Sequence, residues 1–324
     1  MKKLFVLFFL SILLWSCNQS KNTEDNNSKS ALSGKFIIFH AGSLAVPVKE
    51  LVDSFKNLHP DVEILTEAAG SVECARKITE LQKPCDMFLS ADYKVIDKLL
   101  IPDYADWNMP FATNEMVIAF NPHWRKEDNI DTANWYKILL SKEVAFGRSD
   151  PDADPCGYRT LLCMQLTERH YNINSLYANL KKKDNQFIRP KEVDLLALLE
   201  SGNIDYIFIY RSVAIQHGLK YINLPLEINL GSKDFAENYA KSSVDIKGKK
   251  PGEIITQKGE PMIYSFCIPK SATNKAVAEA FAEYLLSKGL RIMEKNGQPA
   301  IVKPEIKNHH LLPEILKAFA INKP

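Results

Sequence analysis

Residues 35–44 read KFIIFHAGSL, a continuous apolar run of strand length that ends in a turn of small residues. An uninterrupted apolar strand is typical of a parallel sheet that is covered on both faces. After the turn, apolar residues from Leu44 to Leu58 recur at helical spacing. A strand, a small-residue turn and an amphipathic helix therefore follow one another directly, which predicts an α/β architecture.

The same kind of turn occurs twice more, each time before a helical pattern. AAGS at 68–71 precedes a helix predicted over 72–82, and DPCG at 154–157 precedes one predicted over 158–170. In open α/β sheets such turns lie at the carboxyl ends of strands, where ligands bind. The unpaired N–H groups and the positive dipole end of each helix favour an anion, and small side chains leave them accessible. The three turns together predict one anion site.

The rest of the body continues the alternation of strands and helices. Its length of roughly 290 residues suggests two lobes by the usual size of domains. We expect parallel, doubly wound sheets, with two strands near 112–120 and 263–269 crossing between the lobes. The polar stretch 231–259 is predicted to be rich in loops. The remaining strands are predicted at 62–65, 86–90, 144–146 and 204–210.

The first residues have the order of an export signal. Two lysines are followed by an apolar run from Leu4 to Trp15 and then by Ser16 and Cys17. The run is too short for a permanent membrane span. Residues 14–17 resemble a bacterial lipobox, which implies cleavage before Cys17 and acylation of that residue; a plain signal peptide or an uncleaved anchor is the alternative. Residues 18–33 are polar and predict a flexible tether.

Composition excludes several classes of function. The chain carries 41 basic and 39 acidic residues, a net charge of +2, so we expect no nucleic-acid partner. If Cys17 is acylated, an odd number of cysteines remains, and their spacing assigns no disulfide; these are Cys74, Cys85, Cys156, Cys163 and Cys267. The sequence contains no CxxC pair or His/Cys cluster, which argues against a structural zinc site.

A series of motifs along the body resembles the tungstate and molybdate substrate-binding proteins of ABC importers, in their archaeal-type branch. The likeness extends from about residue 35 to 305, with the motifs in the same order. The motifs are HAGSL (40–44), EAAGS (67–71), SADY (90–93), PDYADW (102–107), DPCGYR (154–159), YRSVA (210–214), EINLG (227–231) and NGQP (296–299).

The resemblance implies a class II periplasmic-binding-protein fold with the ligand cleft between two α/β lobes. Lobe I is expected at 34–113 and 264–324, and lobe II at 114–263. The resemblance also implies a monomeric extracytoplasmic receptor that uses no cofactor and catalyses no reaction, and the lipobox-like residues imply that a lipid anchors it to a bacterial membrane. Its partners would be the molybdate or tungstate oxyanion, an ABC permease and the ATPase of that permease.

The resemblance implies a ligand site in which two carboxylates can approach the metal of the oxyanion and expand its coordination toward six. Asp154 matches the first carboxylate. Where the family has Glu in a Glu-Tyr-Arg-Ser run this chain has Ile209, which carries no ligand atom and can contribute only shape and dryness. The implied ligand residues are Gly42, Ser43, Ser71, Asp154, Pro155, Cys156, the position of Ile209, and Glu227.

Asp154 itself admits two interpretations. An Asp followed by Pro155 is a preferred start of a helix, so the carboxylate is expected to cap it. A carboxylate beside a bound dianion is repulsive, however, unless it is protonated or becomes a ligand of the metal centre. Tungsten and molybdenum accept such a ligand, and the sulfur of sulfate does not.

Other polar residues near the motifs also have two interpretations. Arg159 and Arg211 are candidates for balancing charge near the site, and an ion pair with a neighbouring carboxylate is the alternative for Arg159. Tyr158 and Tyr210 are expected either to cover the cleft or to belong to the core. His40 is expected to be a hydrogen-bonded histidine at a strand end.

Two alternative functions remain open on the sequence. A receptor for another tetrahedral oxyanion, sulfate or phosphate, uses the same kind of turns. An enzyme with Cys156 as a nucleophile at a helix start is the other, since that position lowers a thiol pKa. It requires a general base nearby, and no Cys/His pattern supplies one.

Overall fold

The computed structural model describes residues 32–123, 130–190, 192–247 and 254–322. The predicted export signal, the acylation site at Cys17 and nearly all of the predicted tether lie outside these residues. None of the described helices is long and apolar enough to cross a membrane.

The strands are short and alternate with helices along the chain. The described strands are β1 (Gly34–Ala41), β2 (Val62–Ala69), β3 (Met87–Ser90), β4 (Met109–Thr113), β5 (Met116–Phe120), β6 (Phe146–Ser149), β7 (Ile188–Arg189), β8 (Tyr206–Tyr210), β9 (Lys220–Asn223), β10 (Ser243–Lys247), β11 (Ile254–Lys258), β12 (Ile263–Cys267), β13 (Glu305–Ile306) and β14 (Ile321–Asn322).

The described α-helices are α1 (Ala45–Leu58), α2 (Ser71–Thr79), α3 (Tyr93–Leu99), α4 (Trp135–Leu140), α5 (Pro155–Tyr171), α6 (Leu176–Lys183), α7 (Glu192–Glu200), α8 (Arg211–Gln216), α9 (Ala236–Tyr239), α10 (Lys275–Tyr284), α11 (Leu290–Lys295) and α12 (Glu314–Lys317). A 3-10 turn over Gly42–Leu44 leads into α1, and a π-helical turn over Leu285–Gly289 joins α10 to α11.

The first sheet has the strand order β2-β1-β3-β12-β4. β1 and β2 are parallel and pair along their full length, from Gly34 opposite Val62 to Ala41 opposite Ala69. The two strands therefore end at the same level. Because the small-residue turns begin directly after them, the turns at 42–43 and 70–71 leave the sheet side by side.

The second sheet has the strand order β7-β6-β8-β5-β9. β6 and β8 are parallel, with Phe146 opposite Tyr206. The loop that follows β6 and leads to Asp154 therefore lies at the same sheet edge as Tyr210, the last residue of β8.

The predicted two-lobe α/β fold is confirmed, but the expectation of parallel sheets was wrong in one respect. β12 is antiparallel to β3 and β4 in the first sheet, and β5 is antiparallel to β8 and β9 in the second. Parallel neighbours need a crossover connection, usually a helix. β5 instead follows β4 after two residues, so the chain passes directly from the first sheet to the second. At β12 the chain returns to the first sheet.

The two sheets are connected by hydrogen bonds around Asn114. The Asn114 N–H donates to the carbonyl of Met262 at 3.2 Å, and the Met262 N–H donates to the carbonyl of Leu230 at 2.9 Å. A third segment lies against this crossing, because the Thr113 N–H donates to the Pro299 carbonyl at 2.8 Å. The first sheet takes its strands from 34–113 and 263–267 and the second from 116–223; the lobe boundaries given above stay a prediction.

Each sheet carries its own hydrophobic core, and the second sheet separates two clusters. Phe208 and Tyr210 of β8 pack in the cluster beneath α5, whereas Ile207 and Ile209 pack on the other face with Leu195 of α7. This alternation follows from the two-residue period of a strand.

The stretch 231–259, predicted as loop-rich, contains regular structure that the sequence analysis missed. β10 and β11 form an antiparallel pair, with Ser243 opposite Lys258, and α9 precedes them. Each strand has only five residues, so the apolar alternation was too short to be distinguished from a polar loop.

Candidate functional site

A cavity of ≈ 400 Å³ lies where the turns after β1, β2 and β6 meet. Residues from both sheets contribute to its lining, as predicted for a cleft at the carboxyl ends of strands. The lining residues are Ala41, Gly42, Ser43, Gly70, Ser71, Val72, Ala91, Asp92, Val95, Asn114, Asp154, Pro155, Tyr158, Arg159, Tyr210, Met262 and Tyr264.

The first two turns present helix starts without side-chain caps. No side chain caps the 3-10 turn at Gly42, and none caps α2, whose N-cap residue is Gly70. A Cβ atom added at Gly42 or at Gly70 would meet nothing within 4 Å. Neither glycine has a positive φ. Packing and backbone strain therefore do not require glycine at either position, and its effect is to keep the backbone open to the cavity.

The two serines of these turns each accept a hydrogen bond from the protein. Ser71 Oγ accepts from the Ala91 N–H at 3.0 Å, and Ser43 Oγ accepts from the Tyr264 hydroxyl at 3.4 Å. A hydroxyl has one hydrogen to donate. Because each serine oxygen already receives a hydrogen, its own hydrogen is available to a ligand in the cavity.

The third turn is arranged differently. Asp154 Oδ1 accepts the N–H of Cys156 at 3.0 Å, with Pro155 at the first helical position, so the carboxylate caps α5. Asp154 is only 8% exposed and lines the cavity, as does Pro155. The third helix start therefore brings a negative charge to the cavity in place of an uncapped N–H group.

Cys156 is not part of the lining. Its side chain is fully buried, and Sγ lies 3.8 Å from the carbonyl oxygen of Phe208. Its N–H group is directed to Asp154, so the expected contact with a ligand through this N–H is not available in this arrangement. None of the five described cysteines forms a disulfide, and all are buried.

Arg159 provides the positive charge in the lining. Its Nη1 donates to the Tyr210 hydroxyl at 2.7 Å, and its guanidinium lies 5.6 Å from the ring centroids of both Tyr158 and Tyr210. The two rings hold the guanidinium by cation–π contact. Arg211, the other predicted charge-balancing residue, instead forms an ion pair with Glu115 at 3.0 Å and lies outside this lining.

The structure does not bring Ile209 or Glu227 to the cavity. Ile209 is fully buried on the face of β8 opposite to Tyr210. Glu227 lies in the loop after β9, where its carbonyl accepts from Asn238 Nδ2 at 2.8 Å. Of the expected ligand residues, the structure brings together Gly42, Ser43, Ser71, Asp154 and Pro155.

Asn114 and Tyr264 are among the lining residues that the sequence analysis missed. Asn114 interrupts the apolar residues of the first crossing segment, and Tyr264 lies on the second. An amide side chain between two apolar segments is visible in the sequence, but the hydrogen-bond partners of Asn114 are 98 and 150 residues away.

His40 is buried near the end of β1, as expected for a hydrogen-bonded strand-end histidine. Its Nδ1 lies 2.9 Å from the Ala41 carbonyl oxygen. Burial lowers the pKa of His40, and the hydrogen bond to Ala41 opposes this effect only in part. The ring is therefore neutral at physiological pH and lies outside the cavity lining.

The charges of the lining are unusual for an anion site. It contains the carboxylates of Asp92 and Asp154 and one guanidinium, that of Arg159. Asp92 caps α3 by accepting the Lys94 N–H at 2.9 Å. Across the described part of the chain, no group of three or more His, Cys, Asp and Glu side chains is placed to hold a metal ion.

Comparison with known proteins extends these observations. A family model described as bacterial extracellular solute-binding protein matches residues 36–298. An uncharacterized solute-binding protein of Petrotoga mobilis is 47% identical over 292 residues, which cover 89% of this chain and 90% of the relative. A molybdate/tungstate-binding protein of Pyrococcus abyssi is 41% identical over 320 residues, which cover 90% of this chain and 91% of the relative.

A solved structure shows the same fold. The substrate-binding domain of a putative molybdenum ABC transporter from Clostridium difficile has a TM-score of 0.60 at 20% identity. The alignment covers 82% of this chain and 99% of that chain. At this identity the likeness concerns the fold alone.

Proposed function

The chain belongs to the bacterial extracellular solute-binding protein family, and from that premise we propose that it captures molybdate or tungstate and delivers the anion to an ABC importer. The relative from Pyrococcus abyssi, named for both anions, supports this choice of solute.

One observation carries the proposal: two uncapped helix starts and two serines, whose oxygens already accept hydrogen bonds from the protein, line one cavity. A desolvated dianion needs donors on most of its oxygens, because an unpaired buried charge is very costly. Backbone N–H groups at helix starts and hydroxyl groups supply such donors. Arg159 adds a charge-assisted donor, and such bonds contribute about 1.5 to 3 kcal/mol each.

The carboxylate of Asp154 favours a metal oxyanion over sulfate. A dianion that enters beside this carboxylate is repelled unless the carboxylate is protonated or binds the central atom. Molybdenum and tungsten in their highest oxidation state accept an oxygen ligand, whereas sulfur does not. We propose that Asp154 makes this contact, and that Gly42, Ser43, Ser71 and Pro155 surround the oxyanion.

Sulfate or phosphate remains the second candidate solute, because the donors on the first two turns fit any tetrahedral oxyanion. The enzymatic alternative is not retained. Members of this family are substrate-binding proteins of transporters, and the Cys156 side chain is fully buried.

We further propose that Cys17 is acylated after export and that residues 18–33 tether the folded body to the membrane. The partner would be an ABC permease with its ATPase, which receives the anion from the cleft. Labelling of the full chain with a radioactive fatty acid in a bacterial host tests the anchor. Loss of label in Cys17→Ala is expected, and undiminished label would contradict the assignment.

Isothermal titration of the purified protein with tungstate, molybdate, sulfate and phosphate tests the solute. We expect saturable one-to-one binding of tungstate and molybdate, with much weaker binding of the other two. Absence of heat with both metal oxyanions overturns the proposal, and tighter binding of sulfate or phosphate would favour the second candidate.

A further inference from the structure

Ser43 is held by residues that come from distant parts of the chain. Its Oγ accepts from the Tyr264 hydroxyl at 3.4 Å, and its carbonyl oxygen accepts from Gln298 Nε2 at 3.2 Å. Gln298 is fully buried and Tyr264 is 4% exposed. The backbone and the side chain of Ser43 are thus positioned independently, although Ser43 itself lies on an exposed turn.

Tyr264 in turn receives a hydrogen bond from Asn114. Asn114 Nδ2 donates to the Tyr264 hydroxyl at 3.0 Å and to Ser212 Oγ at 2.8 Å. The orientation of this amide is fixed by its other end, because Asn114 Oδ1 accepts the N–H groups of Glu115 at 3.0 Å and Ser212 at 3.4 Å. A backbone N–H can only donate, so the oxygen must face these two groups and both hydrogens of Nδ2 are used.

The direction of the remaining bonds follows from this. The Tyr264 oxygen already accepts from Asn114, and a phenol is a better donor and a poorer acceptor than an aliphatic hydroxyl. Its hydrogen therefore goes to Ser43 Oγ, which leaves the hydrogen of Ser43, a residue of the cavity lining, available to a ligand. Hydrogen bonds in such a chain polarise one another and strengthen the last donor.

We propose that Asn114 and Tyr264 are positioning residues that fix the Ser43 hydroxyl as a donor to the bound oxyanion. The inference rests on the proposed function, and it adds a determinant of affinity that does not touch the anion. This chain of hydrogen bonds begins at Ser212 of α8, which follows β8 of the second sheet. It ends at Ser43, which follows β1 of the first sheet. The 3.4 Å distance between Tyr264 and Ser43 is long, and we expect it to shorten when the anion binds.

A double-mutant cycle tests the inference with molybdate and tungstate as ligands. Tyr264→Phe removes the hydrogen given to Ser43, and we expect an affinity loss of about tenfold, the usual upper value for one neutral hydrogen bond. Ser43→Ala removes the final donor and costs at least as much. Because Tyr264 acts through Ser43, the double variant should bind no more weakly than Ser43→Ala alone. In Ser43→Thr, which keeps a hydroxyl, Tyr264→Phe should again reduce affinity.

Tyr284→Phe is the matched control. Tyr284 forms the same type of pair, with its hydroxyl 2.6 Å from Ser54 Oγ, but outside the cavity lining. It should change stability without changing affinity.

Two outcomes overturn the positioning role: unchanged affinity in Tyr264→Phe, or a tenfold loss that persists in the Ser43→Ala background, which indicates direct contact of Tyr264 with the anion. Failure of the proposed function is distinguishable, because the wild-type protein would then bind neither metal oxyanion. If it binds sulfate or phosphate instead, the same cycle is measured with that anion, and a wild-type protein that binds none of the four overturns both proposals.

Discussion

The carboxylate of Asp154 caps the helix that it precedes, since Oδ1 accepts the N–H of Cys156 at 3.0 Å, and the same carboxylate lines the cavity between the turns after β1, β2 and β6. One residue therefore has a local role that the sequence predicts and a second role that depends on what binds. The two roles are separable, because Asn also caps helices but carries no charge.

Asp154→Asn should keep the fold and change the selectivity. We expect the free energy of unfolding to change by less than about 0.5 kcal/mol, since Asn and Asp cap equally well. If Asp154 is a ligand of the metal centre, the ratio of tungstate to sulfate affinity falls at least about tenfold, or 1.4 kcal/mol. Titration calorimetry measures both affinities.

Asp92→Asn is the matched control for this experiment, because Asp92 is also a helix cap on the cavity. It should raise affinity for all dianions alike through the loss of repulsion. An equal gain for all anions in Asp154→Asn would mean that Asp154 is only a cap.

Gly42→Ala and Gly70→Ala should separate binding from stability. A methyl group at either position would meet no other atom within 4 Å, and both positions line the cavity. We expect stability changes within about 0.5 kcal/mol, as for surface substitutions, and affinity losses of more than about tenfold. Thermal unfolding and anion titration give the two quantities.

Gly157→Ala is expected to lower the stability of the protein and to leave its anion affinity unchanged. A Cβ at Gly157 would lie 2.5 Å from the Ser149 carbonyl oxygen, and such overpacking costs about 1 to 3 kcal/mol.

Anion affinity that survives intact in Gly42→Ala and Gly70→Ala would place the ligand elsewhere.

Arg159→Met should weaken binding of every oxyanion. The loss of one charge-assisted hydrogen bond of about 1.5 to 3 kcal/mol corresponds to roughly 10- to 150-fold in affinity. Tyr210→Phe removes the hydroxyl that orients Arg159 but keeps the charge, so its effect should be much smaller. Equal losses in both variants would show that orientation matters more than charge.

Ile209→Glu should destabilise the protein without improving tungstate binding. Ile209 is fully buried in an apolar cluster, and an uncompensated buried charge costs about 3 to 5 kcal/mol. Ile209→Val, which only shortens the side chain, should cost about 0.5 to 1.5 kcal/mol. Denaturant unfolding measures both. A stable Ile209→Glu protein with increased tungstate selectivity would contradict this expectation.

His40 should make stability depend on pH. Because burial lowers its pKa below 6.5 in the folded protein, the unfolded chain takes up the proton first as pH falls. The contribution of neutral His40 is complete above pH 6.5 and is lost as pH falls from there through the lowered pKa. His40→Asn should flatten the dependence of unfolding free energy on pH between about 7 and 5. An unaltered slope in His40→Asn would contradict the assignment.

Much of the fold could be predicted because its signals are local. The apolar run ending at His40, the cap at Asp154 and the helix after Gly70 each depend on neighbouring residues, and the structure has them where the pattern indicates. The direction of β5 and β12 could not be predicted from periodicity, because a strand has the same pattern in a parallel and in an antiparallel pair. The hairpin of β10 and β11 was missed because its strands are short.

The sequence by itself determined which helices begin with small residues and an exposed backbone, since helix starts are set by residues within one turn. Only the tertiary structure decided which of these residues share a cavity. Strand register brings Gly42 beside Gly70, the pleat of β8 turns Ile209 away from the face of Tyr210, and chain crossing places Asn114 against Tyr264. These relations depend on pairing between segments up to 150 residues apart, and no local pattern records such pairing.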